Sequence, residues 1–126
     1  MNEEALDFWQ RASQALKTVD TLVSTDPDAA ASRAYYAAFY AVSALFSVQG
    51  KSFVKHSAVE AAVHRDLVMK GLWSENLGAD FSFLRSLRET GDYGGGIHVS
   101  SEAAADAKDA ACRLLEAVRK ASPVFL

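Results

Sequence analysis

The segment from Asp26 to Val48 limits the possible folds more than any other part of the chain. Asp26-Pro27-Asp28 reads as an N-cap, a proline at the first helical position and an acid in the first turn. Helical spacing then continues until Gln49-Gly50 stops it. At about 100° per residue, Tyr35, Phe39, Val42 and Phe46 fall on one narrow apolar stripe. A second face holds Ala34, Ala37, Ala41 and Val48, whose side chains let another helix approach closely. A third carries Arg33, Tyr36, Tyr40, Ser43 and Ser47. A helix with two apolar faces belongs at the centre of a bundle, covered on most sides.

The rest of the chain supplies the helices to cover it. Leu6, Trp9, Leu16, Val19 and Val23 recur at helical spacing, which predicts a helix from about Glu3 to Val23. Ser57 and Glu60 have capping-box spacing, so a third helix should follow Ser57 and end at Lys70-Gly71. A fourth is predicted from near Leu77 to Asp92, broken by Gly94-Gly95-Gly96, with Phe83, Leu84 and Leu87 towards the core. The fifth begins near Ser100 or Ser101 and ends before Pro123. Short connections make consecutive helices antiparallel neighbours, and no alternating strand pattern competes. The fold class is therefore all-α, an up-and-down bundle of four to five helices. With no repeat and no linker, residues 1–126 read as a single helical domain.

Composition removes several functional classes. The net charge of −3 provides no global basic field for nucleic acid, so any such contact needs a local patch. Cys112 is the sole cysteine, which excludes an internal disulfide; in its alanine-rich run it reads as a small buried thiol. Met1-Asn2-Glu3-Glu4 does not resemble a secretory leader, and no run reaches the roughly eighteen apolar residues of a membrane span, so a cytoplasmic protein is expected. His56 and His64 lie eight residues apart, which does not put two metal ligands on one helix face, and neither a metal nor a cofactor is expected. The glycine run follows a helix instead of leading from a strand into one, so it is not a phosphate-cradling loop.

Chemistry concentrates in two places. The third face of the second helix can be read as packed tyrosines with satisfied hydroxyls, as a contact with a second copy, or as a ligand- or RNA-facing surface. On the fourth helix Arg85, Arg88 and Asp92 share an arc of roughly 60°, with Arg88 and Asp92 at i,i+4 ion-pair spacing. Metal-independent RNA cleavage needs a base, an acid and a cation for the phosphorane. Arg88 is the candidate cation and His98 the nearest candidate in sequence for proton transfer; His56 and His64 qualify only if the fold brings them close.

Ser32-Arg33-Ala34-Tyr35-Tyr36-Ala37-Ala38-Phe39-Tyr40, followed by Ala44-Leu45-Phe46 and Gly50-Lys51, resembles the second helix of small bacterial and archaeal HEPN-domain proteins. Lys55-His56-Ser57 is similar to the segment opening their next helix, and Arg88 through Asp92-Tyr93 resembles the arginine, spacer, Asp-Tyr signature of their fourth. The resemblance implies a helical bundle that forms a homodimer, commonly beside a minimal nucleotidyltransferase in a toxin–antitoxin-like pair. It implies an RNA- or nucleotide-facing groove lined by Arg33, Tyr36, Arg85, Arg88, Asp92 and Tyr93. Catalytic relatives are metal-independent ribonucleases that use an arginine, a short spacer and a histidine. Arg88 matches the arginine, but nine residues separate it from His98, and Asp92-Tyr93 stands where the histidine is expected. Three functions follow: a nucleotide- or RNA-binding component, a ribonuclease toxin, or a non-catalytic helical adaptor.

Overall fold

A computed structural model of the chain describes residues 2–53 and 55–125. Among the described residues every regular element is helical: α1 Glu3–Leu22, α2 Pro27–Val48, α3 His56–Ala62, α4 Glu75–Tyr93 and α5 Ser101–Ala121. α3 runs on into a π-helical stretch, Val63–Val68, and a 3-10 turn, Pro123–Phe125, follows α5.

The helix ends follow from short polar side chains. Asn2, Asp26, Ser74 and Ser100 each accept a hydrogen bond from a backbone N–H in the first turn of the helix that follows. Gly50 stops α2 at a φ of 77°, a left-handed conformation that suits glycine, and this lets the Lys51 N–H reach back to the Phe46 carbonyl at 2.8 Å. The start of α1 is tied to the end of α2, where the Ser47 hydroxyl lies 3.2 Å from Asn2 Oδ1 and 3.1 Å from Glu4 Oε1.

α2 is the central element, packed against α1, α4 and α5 and touching α3. Its small residues, Ala30, Ala31, Ala34, Ala37, Ala38, Ala41 and Ala44, are fully buried, and this is what admits neighbours on more than one side. Tyr35, Val42 and Phe46 are buried as the stripe predicts, and Phe39 packs against the core from its edge. Facing them are Phe81 and Leu84 from α4 and Leu114 and Leu115 from α5, all essentially inaccessible. Truncating any of these large side chains to alanine should cost about 2–5 kcal/mol.

Three local expectations are corrected. Phe83 is 37% exposed: α4 buries Phe81 and Leu84, with Leu77 partly buried on the same side, and Phe83 lies about 200° round the helix from Phe81. Cys112 is exposed, because Ala110, Ala111, Leu114 and Leu115 take the inner face of α5. Ser57 is not a cap: Lys55 precedes α3, with no side-chain cap bond, and Ser57 sits exposed within the first turn. Glu60 turns instead towards α4, accepting from the Ser82 hydroxyl at 2.9 Å and pairing with Arg85 Nε at 2.6 Å.

The end of α4 is held against the beginning of α2 by Gly91. A β-carbon there would stand 2.6 Å from the Asp28 carbonyl oxygen, a separation no side chain tolerates. Just beyond, Asp28 accepts the Val99 N–H at 2.7 Å and holds His98 Nδ1 at 2.6 Å, anchoring the chain that follows the glycine run to the first turn of α2.

Candidate functional site

The Gly91 contact brings α4 and α2 together so that Arg88 lies over the tyrosines. Arg88 donates through one Nη to the Tyr36 hydroxyl at 3.1 Å, and its Nε lies 2.9 Å from Asp92 Oδ2. The Nε–H is buried but makes no well-aligned hydrogen bond, so the Asp92 contact acts as a charge contact. The guanidinium carbon lies 5.5–5.7 Å from the ring centres of Tyr35, Tyr36 and Tyr93, within cation–π range. Arg33 approaches the Tyr36 ring at 4.9 Å, so two guanidinium groups meet one ring. The Ser32 hydroxyl reaches Asp92 at 3.5 Å.

Arg33, Tyr36, Arg88, Asp92 and Tyr93 thus form one cluster. Arg85 lies one turn back on α4, where Glu60 at 2.6 Å and Glu89 at 2.7 Å bracket its charge. His98 is engaged by Asp28. The histidine that joins the cluster is His56, brought in by the start of α3. Its Nδ1 lies 3.3 Å from the Tyr35 hydroxyl, its ring stacks on Phe39 with centres 4.2 Å apart, and it meets the Tyr36 ring edge-on. His64 points elsewhere, its Nε2 lying 3.0 Å from the Ser82 hydroxyl.

Protonation follows from this packing. Burial, helped by the positive charge of Arg88, lowers the His56 pKa below the ordinary imidazole value, so the ring is neutral at neutral pH. Burial pushes the Tyr35 phenol up to about 12, which keeps its proton in place. The cluster therefore presents a permanent cation, a neutral imidazole and exposed aromatic surface, with Tyr93 73% accessible. A guanidinium of this kind can bind phosphate oxygens, and the rings beside it can stack on a base.

A profile of the HEPN domain matches residues 5–121 of this sequence. The chain belongs to the HEPN domain family. It is also 36% identical over 120 residues to a UPF0332 protein of Thermotoga maritima, an alignment covering 94% of this chain and 91% of that one. The bundle and the family are those read from the sequence.

Two residues that build this cluster escape a reading by periodicity. Gly91 carries no side-chain signal, and only the backbone approach to Asp28 gives it a role. His56 lies on a different helix from Arg88, and no spacing rule links the start of α3 to the end of α4. The hint available was indirect: the Gly50-Lys51 break turns the chain back along α2, returning the start of α3 towards the tyrosine face.

Proposed function

We propose that this HEPN-domain protein is the RNA- or nucleotide-binding component of a toxin–antitoxin-like pair completed by a minimal nucleotidyltransferase, and that it acts as a homodimer. One observation carries the reading: the Arg88 guanidinium is fixed by Asp92 and the Tyr36 hydroxyl within a frame of three tyrosine rings, at a surface where Tyr93 is open. An arginine so held binds phosphate with little loss of side-chain freedom, and its planar fork matches two phosphate oxygens. Asp92 orients the fork, and Tyr36 and Tyr93 offer faces for a base. Arg33 adds a second cation at Tyr36.

Titration of a fluorescently labelled single-stranded RNA into wild type and Arg88→Ala tests the site. Binding should weaken at least tenfold in the variant; equal affinities would remove Arg88 from the binding role. A nucleotidyltransferase encoded beside this chain should co-purify with it when the two are expressed together.

A second reading, the metal-independent ribonuclease, is favoured by the neutral His56 beside Arg88. In that reaction the 2′-hydroxyl proton passes to a histidine as the 2′-oxygen bonds phosphorus. The phosphorus–O5′ bond then breaks, and the leaving oxygen takes a proton from the solvent or from a second acid such as His98. Cleavage with a chelator present should then be lost in Arg88→Ala and in His56→Ala, and His98→Ala separates the two histidines. If the wild type leaves RNA intact while still binding it, the binding role stands without the catalytic one.

A further inference from the structure

Beyond Phe39, the ring on which His56 stacks, lies a small pocket of about 120 Å³ between the start of α1, the outer face of α2 and the segment after Gly50. Its walls are Phe8, Phe39, Phe46 and Phe53, with the hydroxyl-bearing residues Ser43 and Ser52 and the carboxylate of Glu4 also lining it. Lys51 stands at this pocket, its ammonium 5.7 Å from the Phe46 ring centre. The same ammonium is 3.5 Å from Asp66, a buried carboxylate that also holds Arg65 at 2.8 Å and Lys70 at 4.0 Å. Among the described residues Asp66 is the one carboxylate paired with these three cations, so two positive charges are left uncompensated. Arg65 and Lys70 are both more than half exposed, in a chain whose net charge is negative.

The pocket and the Arg88 cluster share a wall. Phe39 lines the pocket and stacks on His56, whose ring meets Tyr36, the partner of Arg88. Along α2, Tyr36 and Phe46 are separated by about 15 Å at 1.5 Å per residue. That span exceeds the reach of a single nucleotide's own phosphate and base. A cavity near 150 Å³ takes one small aromatic ring, so at about 120 Å³ this pocket holds at most one ring, of pyrimidine size. A positive track with aromatic surfaces along it is the arrangement that binds single-stranded nucleic acid.

We propose that the phenylalanine-lined pocket is a second base subsite, with Lys51 and Lys70 taking backbone phosphate while Arg65 holds Asp66 through two hydrogen bonds. The ligand is then a single-stranded RNA segment running along α2 from Arg88 to Lys51, not a free mononucleotide. This rests on the nucleotide- or RNA-binding reading of the Arg88 cluster.

The test is fluorescence anisotropy with a labelled hexauridylate and competition by unlabelled uridine monophosphate, in wild type, Arg88→Ala, Lys51→Gln with Lys70→Gln, and Ser43→Leu. The double variant leaves Asp66 its Arg65 partner, and Ser43→Leu fills the pocket without touching a charge. The double variant should bind hexauridylate about tenfold more weakly, with a shallower salt dependence because fewer phosphates are neutralised. Ser43→Leu should weaken hexauridylate with the salt dependence unchanged. Both should leave competition by the mononucleotide as in wild type. If both bind hexauridylate like wild type while Arg88→Ala does not, the subsite is overturned and the Arg88 reading survives. If Arg88→Ala alone leaves binding intact, the Arg88 reading fails instead, and the two-ended track fails with it. Equal competition by an acidic hexapeptide would overturn nucleic acid as the occupant.

Discussion

Arg88 gives the cluster its character through geometry as much as charge. It reaches a hydroxyl, a carboxylate and three rings at once, which a lysine ammonium cannot do. Arg88→Lys should therefore lose most RNA affinity, although the charge is kept. The thermal midpoint should fall only modestly, because lysine keeps the charge beside Asp92 and the lost Tyr36 hydrogen bond is worth about 1 kcal/mol. If Arg88 serves only to tie helices together, Arg88→Ala will lower the midpoint and leave binding unchanged. Tyr36→Phe removes one acceptor and should cost about 1 kcal/mol in urea unfolding. At this scale the sequence was legible where chemistry and helical spacing coincided. Arg88, Asp92 and Tyr36 could be nominated because each sits on a predicted face, and the tyrosine stripe could be assigned to the core. Phe81 and Phe83 could not be told apart without the helix's true rotation. His56 could only be named conditionally, because its approach to Tyr35 depends on tertiary structure.

Between elements, the decisive contacts are those that seat α4 and the chain after it on α2. Gly91→Ala inserts a methyl group against the Asp28 carbonyl and should destabilise the fold by about 1–3 kcal/mol, read from the urea midpoint. It should also weaken RNA binding, since Arg88 moves with α4. Three groups give stability a pH dependence of the same sign. The His56 pKa is lowered by burial, the Asp28 pKa by the Val99 amide and then by His98, and the Asp66 carboxyl is held well below the usual range chiefly by Arg65. In each case the unfolded chain binds the proton more readily, so stability is present above the unfolded pKa and is lost as pH falls. Unfolding free energy should begin to decline below about pH 6.5 through His56 and decline further below about pH 4 through Asp28 and Asp66. In urea titrations across pH, His56→Phe should flatten the first decline and Asp28→Asn should reduce the second, leaving the part that belongs to Asp66. Helix existence was legible because caps and periodicity are local. The supposed Ser57–Glu60 box failed because Ser82 and Arg85, both on α4, engage Glu60 more strongly than the local turn does.

For the molecule as a whole, the bundle leaves Tyr93 and Ile97 open at the end that carries the cluster, 73% and 71% exposed. In the homodimeric account a second copy comes close to this end, so light scattering at micromolar concentration should return twice the chain mass. A strict monomer would mean that each chain works with its own groove. Among the described residues no helix is long and apolar enough to cross a membrane. The sequence could specify the bundle because one helix with buried alanines on several sides leaves few other architectures. It could not specify which surface is used, since that depends on how α3 and α4 meet across α2. The most direct check is a nuclear magnetic resonance titration of isotope-labelled protein with a short single-stranded RNA. Shifts should gather at Arg33, Tyr36, His56, Arg88, Asp92 and Tyr93 and vanish in Arg88→Ala. Shifts centred instead on the separate groove that α5 forms with Leu16 and Leu77, lined by Cys112, Arg113 and Lys120, or none at millimolar RNA, would contradict the account.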